Sequence, residues 1–500
     1  MKRLGLRDFA APITTCMSCY SRPGAALEAA IFALCTVLVG CHKNDGSGAA
    51  PQPDASTGLD ALSTQVPTTD TAPAPVDANP APADTNPPSV DANPAFDVGT
   101  AASPLQRELA PQVPTADLTT LASENAAFAF DLYAKLKAGH GDVAFSPASI
   151  SLALSMTYAG AANGTAAEMA KTLHFTLPPD RLHRAFNGLD QTLASRGEGR
   201  PALDGSLMRL TLANSLWLDR SFLLRSGFLD TLAVNYGAGV NLVDFINTPD
   251  AARKRINAWV ADQTAGKIAE LLAPESMSNA VRLVLANAIY FNAAWQSPFN
   301  ATFNHSSSFT LLDGTATSKS FMYQSMSIPA GQGSGFVTAV LPYQDDRLSM
   351  VIVLPDAGRF AEVESSLDGA GLATLVTGLT YQKVSLYLPP FHVDTHASLK
   401  DMLASLGMPS AFGPSADFSA MANDPLYISD VIHEAFVTVA EKGTEAGAAT
   451  AVIMGDGSIS MDSGPPPMLV KADRPFLYFI YDKPTGAILF MGRVLDPAQQ

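Results

Sequence analysis

Glu441-Lys-Gly-Thr-Glu-Ala-Gly-Ala-Ala-Thr-Ala-Val452 is the stretch that decides the fold. From Thr444 to Val452 nearly every side chain is small, and the one charge in that run is Glu445. An exposed loop gains nothing from such a composition, which supplies neither good turn chemistry nor strong polarity. Small, β-tolerant residues do suit a strand that must enter between two neighbours already packed together. Alternate side chains of an extended chain share a face. With Glu445 facing solvent, Thr444, Ala446, Ala448, Thr450 and Val452 face the core, and none is charged. Taken without context, the run is also compatible with a low-complexity hinge or a short helix, because alanine favours helix.

Outward from this stretch the pattern sorts into helices first and strands later. Leu121, Asn125, Phe128, Leu132 and Leu136 recur at helical spacing until Gly139. Ile150 to Ala159 reads as a second, more buried helix. Thr248-Pro249 opens a third through Ile256 and Val260 to Gly266, since proline suits a first helical turn. Leu348–Leu354, Val384–Leu388, Phe476–Tyr481 and Ile488–Val494 read as strands. With no regular βαβ alternation, the fold class is α+β. No break in composition interrupts Pro114 to Pro497, so residues 114–498 form one large domain.

The chain before that domain reads as an address and a tether. Lys2, Arg3, Arg7 and Arg22 precede an apolar run from Ala29 to Val39, the pattern of a secretory signal over residues 1–40. The run is shorter than the roughly 20 residues of a membrane span. Its charged leader is long, and Met17 is an alternative start. The run ends Leu38-Val39-Gly40-Cys41, which resembles the lipobox of bacterial lipoproteins. That resemblance implies cleavage before Cys41, a diacylglycerol on its thiol, and, with His42 following, an outer-membrane or cell-surface location. Ordinary cleavage nearby, giving an extracellular protein, and a buried helix with a chance cysteine are the plainer alternatives; against them, a bare surface thiol is a liability in an oxidising compartment. Cys16, Cys19, Cys35 and Cys41 are the only cysteines, so the domain holds no disulfide and no cysteine nucleophile. Cys16 and Cys19 form a lone C-x-x-C pair, a weak metal or redox signal. Residues 41–113 are rich in Pro, Ala, Asp, Thr and Ser, and Val76-Asp-Ala-Asn-Pro-Ala81 recurs as Val90-Asp-Ala-Asn-Pro-Ala95. Such a segment cannot offset its chain entropy by burial and is expected to be disordered, reaching on the order of 50 Å as a coil.

Composition and motif content narrow the function classes. Apolar residues make up 47% of the chain, enough for a sizeable core, and the formal net charge is -16. That charge repels nucleic acid and anionic lipid, and no dense Lys/Arg cluster reverses it locally to make a heparin-like site. The G-x-S-x-G elbow and the G-x-x-x-x-G-K-[ST] loop are absent. His433-Glu434 begins like a zinc-protease motif, but Val437 stands where the second histidine belongs. His392 and His396 follow a strand-like run and Pro389-Pro390, so their spacing need not place them on one helical face. A nucleophile, metal site and phosphate cradle are all missing, so neither an enzyme nor a cofactor is expected. Acid–base pairs stay open, because Asp and Glu occur throughout.

Several separated segments together resemble the serpin family. Phe145-Ser-Pro-Ala-Ser-Ile150 and Tyr158-Ala-Gly-Ala-Ala-Asn-Gly-Thr165 are similar to its second helix. Asn257, Trp259, Val260, Thr264, Gly266, Lys267 and Ile268 fit its N-x-W-V…T-x-G-K-I segment. Leu285-Ala-Asn-Ala-Ile-Tyr-Phe291, Trp295 and Phe299 fit the strand that follows. Leu341-Pro-Tyr343, Leu348-Ser-Met350, Leu354-Pro355, Asp417-Phe-Ser419, His433, Glu441-Lys-Gly-Thr-Glu-Ala446, Asp473-Arg-Pro-Phe476 and Phe490-Met-Gly-Arg-Val494 continue in order. The resemblance covers almost all of Thr115 to Pro497.

The resemblance implies a large central mixed sheet and an exposed reactive loop. A target protease, serine or cysteine type, cuts that loop as an acyl-enzyme. The cut loop inserts as a new strand and drags the protease away before it deacylates. It also implies a hinge over Glu441, Gly443, Thr444, Glu445, Ala446, Gly447, Ala448, Ala449 and Thr450, and a polar shutter of Ser146, Ser149, Asn287 and His433. The protein would be a monomer whose only membrane contact is the lipid anchor. Gly447 stands where the family usually has alanine, costing roughly 0.5–1 kcal/mol in a strand. The span from Gly443 to Phe476 is several residues longer than usual. Counting from Glu441 puts the cut at Gly457–Ser458, and a modest shift exposes Met454, Ile459 or Met461 instead. No Lys or Arg occurs between Lys442 and Lys471, which argues against a trypsin-like target. The alternative is a non-inhibitory binding protein on the same fold.

Overall fold

The helical stripe of Leu121, Phe128, Leu132 and Leu136 is buried along one helix, as its spacing predicts. The computed structural model describes residues 99–139, 141–196, 208–445 and 466–497. In chain order the elements are β1 (Thr100–Ala101), α1 (Thr115–Leu136), β2 (Val143–Phe145), α2 (Pro147–Tyr158), α3 (Asn163–Thr172), α4 (Pro179–Ala194), β3 (Arg209–Asp219), α5 (Ser226–Tyr236), β4 (Val240–Val243), α6 (Pro249–Gln263) and β5 (Leu283–Ala294). There follow β6 (His305–Thr310), β7 (Ala316–Gly333), β8 (Phe336–Pro342), β9 (Leu348–Pro355), α7 (Phe360–Ser366), α8 (Gly369–Gly378), β10 (Thr380–Leu388), β11 (Phe391–Ser398) and α9 (Lys400–Leu406). The chain closes with β12 (Asp430–Ala440), β13 (Gly443–Thr444), β14 (Met468–Lys471), β15 (Phe476–Asp482) and β16 (Ala487–Val494).

Two sheets carry the fold. One runs β1-β4-β3-β5-β13-β12-β11, and the other β14-β10-β7-β8-β9-β15-β16-β2 with β6 beside β7. The first nine residues of β5, Leu283–Phe291, are all buried. A near-continuous apolar run of this kind belongs to a strand covered on both faces. On the inner face lie the main core and α2; on the outer face, Ile256 and Val260 of α6 share a smaller core with Trp217, Val284, Ala286 and Ala288. Helix α2 is buried over all but its last residue. Its serines are tolerated because they bond internally, Ser151 to Asn125 at 2.6 Å and Ser155 to the Leu152 carbonyl at 2.7 Å. Among the described residues no helix is long and apolar enough to cross a membrane.

The boundary at residue 113 needs correction, because residues 99–113 carry structure. Thr100 and Ala101 pair antiparallel with β4 and lengthen the first sheet at its edge. Arg107 binds Asn187 and Asp190 on α4 at 2.9 and 2.6 Å, and the Glu108 amide donates to the Val234 carbonyl at 3.0 Å. A Cβ at Gly239 would lie 2.6 Å from the Ala101 carbonyl, so the close approach depends on glycine there. Backbone ladders and one arginine need no apolar side chains, so composition did not reveal this arm.

Candidate functional site

The polar residues singled out in the sequence converge where β5 and β12 pair directly, below the point where the two strands part. Asn214 on β3 lies opposite Asn287 on β5, and Asn287 lies opposite His433 on β12. Residues in one cross-strand row share a face, and this row meets the start of α2. Ser146 caps that helix, its hydroxyl accepting from the Ser149 amide at 3.2 Å with Pro147 at the first turn. The Ser146 amide donates to His433 Nε2 at 3.2 Å, and His433 Nδ1–H donates to Asn287 Oδ1. Those roles fix a neutral imidazole. Burial pushes its pKa down to about 3, with a smaller push from His396. The Asn287 amide donates to Ser149 Oγ at 2.7 Å and to Asn214 Oδ1, and Ser149 Oγ donates to Asn214 Oδ1 at 3.2 Å.

Ser146, Ser149, Asn287 and His433 are all fully buried and form one network. Asn214 is a further member that sequence reasoning missed. Its signal was an asparagine inside the strand-like run Leu212-Ala-Asn-Ser-Leu-Trp-Leu218. Its own Nδ2 has no hydrogen-bond partner among the described residues. The network joins the two strands that a new strand would have to part. Its hydroxyls, amides and imidazole are buried and bond to one another across three strands and a helix.

Above this row the sheet is already parted. β5 and β12 pair directly, in parallel, from Val284–Ile289 to Asp430–Ala435. Higher up, β13 stands between them, with Gly443 and Thr444 opposite Ala440 and Val439 on one side and Ala294 and Ala293 on the other. A Cβ on Gly443 would come within 2.1 Å of the Ala293 carbonyl, so only glycine fits that wedge. Thr444 is 1% exposed, and its Oγ1 lies 2.6 Å from the hydroxyl of buried Tyr343. Tyr343 stacks on Trp295 at 4.6 Å, and Trp295 Nε1 donates to the Ala440 carbonyl at 2.9 Å. Glu441 is held at its side chain by Asn304 at 2.6 Å and at its carbonyl by the Phe299 amide at 2.8 Å.

Thr444 faces the core, as the alternation requires. Glu445 does not face open solvent: its side chain is 10% exposed, and Oε1 lies 2.5 Å from Lys267 Nζ. The turn that ends α6 places that lysine over the outer face of the sheet, which the sequence pattern did not convey. Burial raises the Glu445 pKa, and Lys267 opposes the rise. Ala446, Gly447, Ala448, Ala449 and Thr450, the scissile candidates Met454, Gly457, Ser458, Ile459 and Met461, and Cys41 lie outside the described residues. His392 bonds Thr438 at 2.7 Å and His396 pairs with Glu434 at 3.4 Å. Among the described residues no group of three His, Cys, Asp or Glu could hold a metal ion.

A strand begun between two parted neighbours, above a polar row, agrees with the comparison with known families. The family model for Serpin (serine protease inhibitor) matches residues 123–497. The chain belongs to the serpin family. Among similar proteins, a serpin-like protein of Thermococcus kodakarensis is 38% identical over 371 residues, covering 74% of this chain and 84% of its own. The leukocyte elastase inhibitor of Sus scrofa is 36% identical over 389 residues, covering 75% and 99%. The native state of the thermophilic serpin tengpin superposes with a TM-score of 0.68 at 28% identity, over 80% of this chain and 99% of that one. Human thyroxine-binding globulin complexed with its hormone gives 0.67 at 28%, over 77% and 100%. The fold of this serpin is thus the α+β serpin fold, in a family of protease inhibitors.

Proposed function

We propose that this serpin inhibits an endopeptidase as a suicide substrate, through loop cleavage and strand insertion between β5 and β12. The observation that carries the reading is the seating of Gly443 and Thr444 between those strands. Every residue after them up to Val452 except Glu445 is uncharged, so the rest can follow without burying further charge. The identity to leukocyte elastase inhibitors supports a protease target. The lack of Lys and Arg from Gly443 to Val470 favours an elastase-, chymotrypsin- or subtilisin-like serine protease, or a cysteine protease, over a trypsin-like one. The bond cut is Gly457–Ser458, with Met454, Ile459 and Met461 as the alternatives. Export, a lipid on Cys41 and a tether would hold the monomeric inhibitor at the cell envelope.

A second reading rests on the match to thyroxine-binding globulin complexed with its hormone: the fold would serve binding without inhibition. The two readings part on a denaturing gel. Incubation with elastase, chymotrypsin or subtilisin should give a covalent complex that survives boiling in SDS, with trypsin giving none. Simple cleavage of the loop by every protease, with no complex, would count against inhibition.

A further inference from the structure

Among the described residues the strand between β5 and β12 is two residues long, Gly443–Thr444, and it ends in a turn at Glu445. Glu445 still donates its amide to the Thr438 carbonyl at 2.7 Å. Its φ is +52°, however, a left-handed conformation that a β-carbon makes unfavourable. An extended strand residue has φ roughly 170° away, so one further step of insertion must swing Glu445 out of this turn and re-aim its carboxylate. The cost of holding glutamate left-handed must be offset locally. Oε1 has the Lys267 ammonium at 2.5 Å, whereas Oε2 is buried with no hydrogen-bond partner among the described residues. The carboxylate is thus held by Lys267.

Lys267 is itself well anchored. It follows the end of α6, where the Gly266 amide returns to the Ala261 carbonyl at 2.6 Å and the Lys267 amide to Thr264 at 3.1 Å. Thr264 Oγ1 accepts the Ile268 amide at 3.1 Å, and Ile268, Leu271 and Leu272 sink into the core beneath α6. The lysine therefore projects from a rigid support above the sheet, on the side opposite Tyr343.

We infer that Lys267 is a positioning residue that stops the loop root at two inserted strand residues, by clamping Glu445 in its left-handed turn. The inference rests on the insertion reading above and assigns the device that keeps the uncut loop from inserting on its own. Without Lys267 the buried carboxylate loses the cation that touches it, keeping only the more distant influence of His392, and the turn it stabilises gives way.

The test uses the full chain with its loop uncut, held at a temperature where the wild type converts over hours to a urea-resistant, loop-inserted form. Lys267→Gln is expected to speed that conversion about tenfold, because it leaves a buried carboxylate unpaired. Glu445→Gln should speed it about threefold, since it removes the pair and the unpaired charge together. The double variant should match Glu445→Gln rather than the product of the two effects, the signature of direct coupling. Rates of both single variants within twofold of wild type, or slower, would overturn the clamp, as would additive effects in the double variant. If the wild type does not convert at all, conversion of the variants alone supports the clamp, and conversion of none overturns it. Wild type that gains no urea resistance even after its loop is cut would instead remove the insertion reading itself, and the clamp with it.

Discussion

Thr444→Arg should turn this serpin from an inhibitor into a substrate. Thr444 is 1% exposed, between two strands, with its hydroxyl on buried Tyr343. Tyr343 is enclosed by Trp295 stacked at 4.6 Å and Phe291 edge-on at 5.1 Å. Among the described contacts of Thr444 and Tyr343 there is no carboxylate for a guanidinium to meet, and burying an unpaired charge costs about 3–5 kcal/mol. The side chain would instead pull β13 out of the sheet and keep the cut loop from entering it. Inhibition should fall by about a hundredfold or more, while the same protease still cleaves the loop. Thr444→Ser keeps the hydroxyl and should inhibit nearly as well as wild type. Titration of a captured protease with each variant checks both, and full inhibition by Thr444→Arg would show that insertion is not the mechanism.

The second large effect is expected at Asn287. Its side chain accepts from His433 and donates to Ser149 and Asn214, all in one buried row. Asn287→Ala leaves the His433 Nδ1–H without its acceptor and Ser149 Oγ without its side-chain donor, while Asn214 Oδ1 keeps Ser149. Each unmet buried group costs about 1–3 kcal/mol. A loss of about 4 kcal/mol in a domain this large lowers the apparent melting temperature by roughly 5 °C. Because burial holds His433 neutral, with its pKa pushed down to about 3, the deficit should be the same at pH 6 and pH 8. Scanning calorimetry at the two pH values reads this, and an unchanged melting temperature would remove the network from the account.

The parts of the molecule legible in the sequence are those where side-chain pattern decides the structure. The stripe through Leu121 to Leu136 gave α1, and the run Leu348 to Leu354 gave most of β9. Of the run of small residues after Gly443, Thr444 lies between β5 and β12, and Ala446 to Val452 lie outside the described residues. Ser146, Ser149, Asn287 and His433 came from the family pattern rather than from periodicity, and the structure joins them through hydrogen bonds. What stayed hidden depends on the backbone or on distant partners. Residues 99–113 dock through strand pairing and Arg107, which composition does not register. Asn214 looked like one polar residue in an apolar run until the register set it opposite Asn287. Glu445 could be assigned to a face but not to Lys267, whose approach is set by the turn after α6.

The proposed strand insertion rests on Gly443 and Thr444 seated between β5 and β12 above a polar row. The direct test is to cut the loop once with a protease the serpin does not trap and compare melting temperatures of cut and intact protein. A full strand adds about ten residues of ladder hydrogen bonds, each contributing about 1 kcal/mol net. The cut form should therefore melt at least about 10 °C higher than the intact one. A cut form that melts at or below the intact protein would contradict insertion, and with it the inhibitory mechanism.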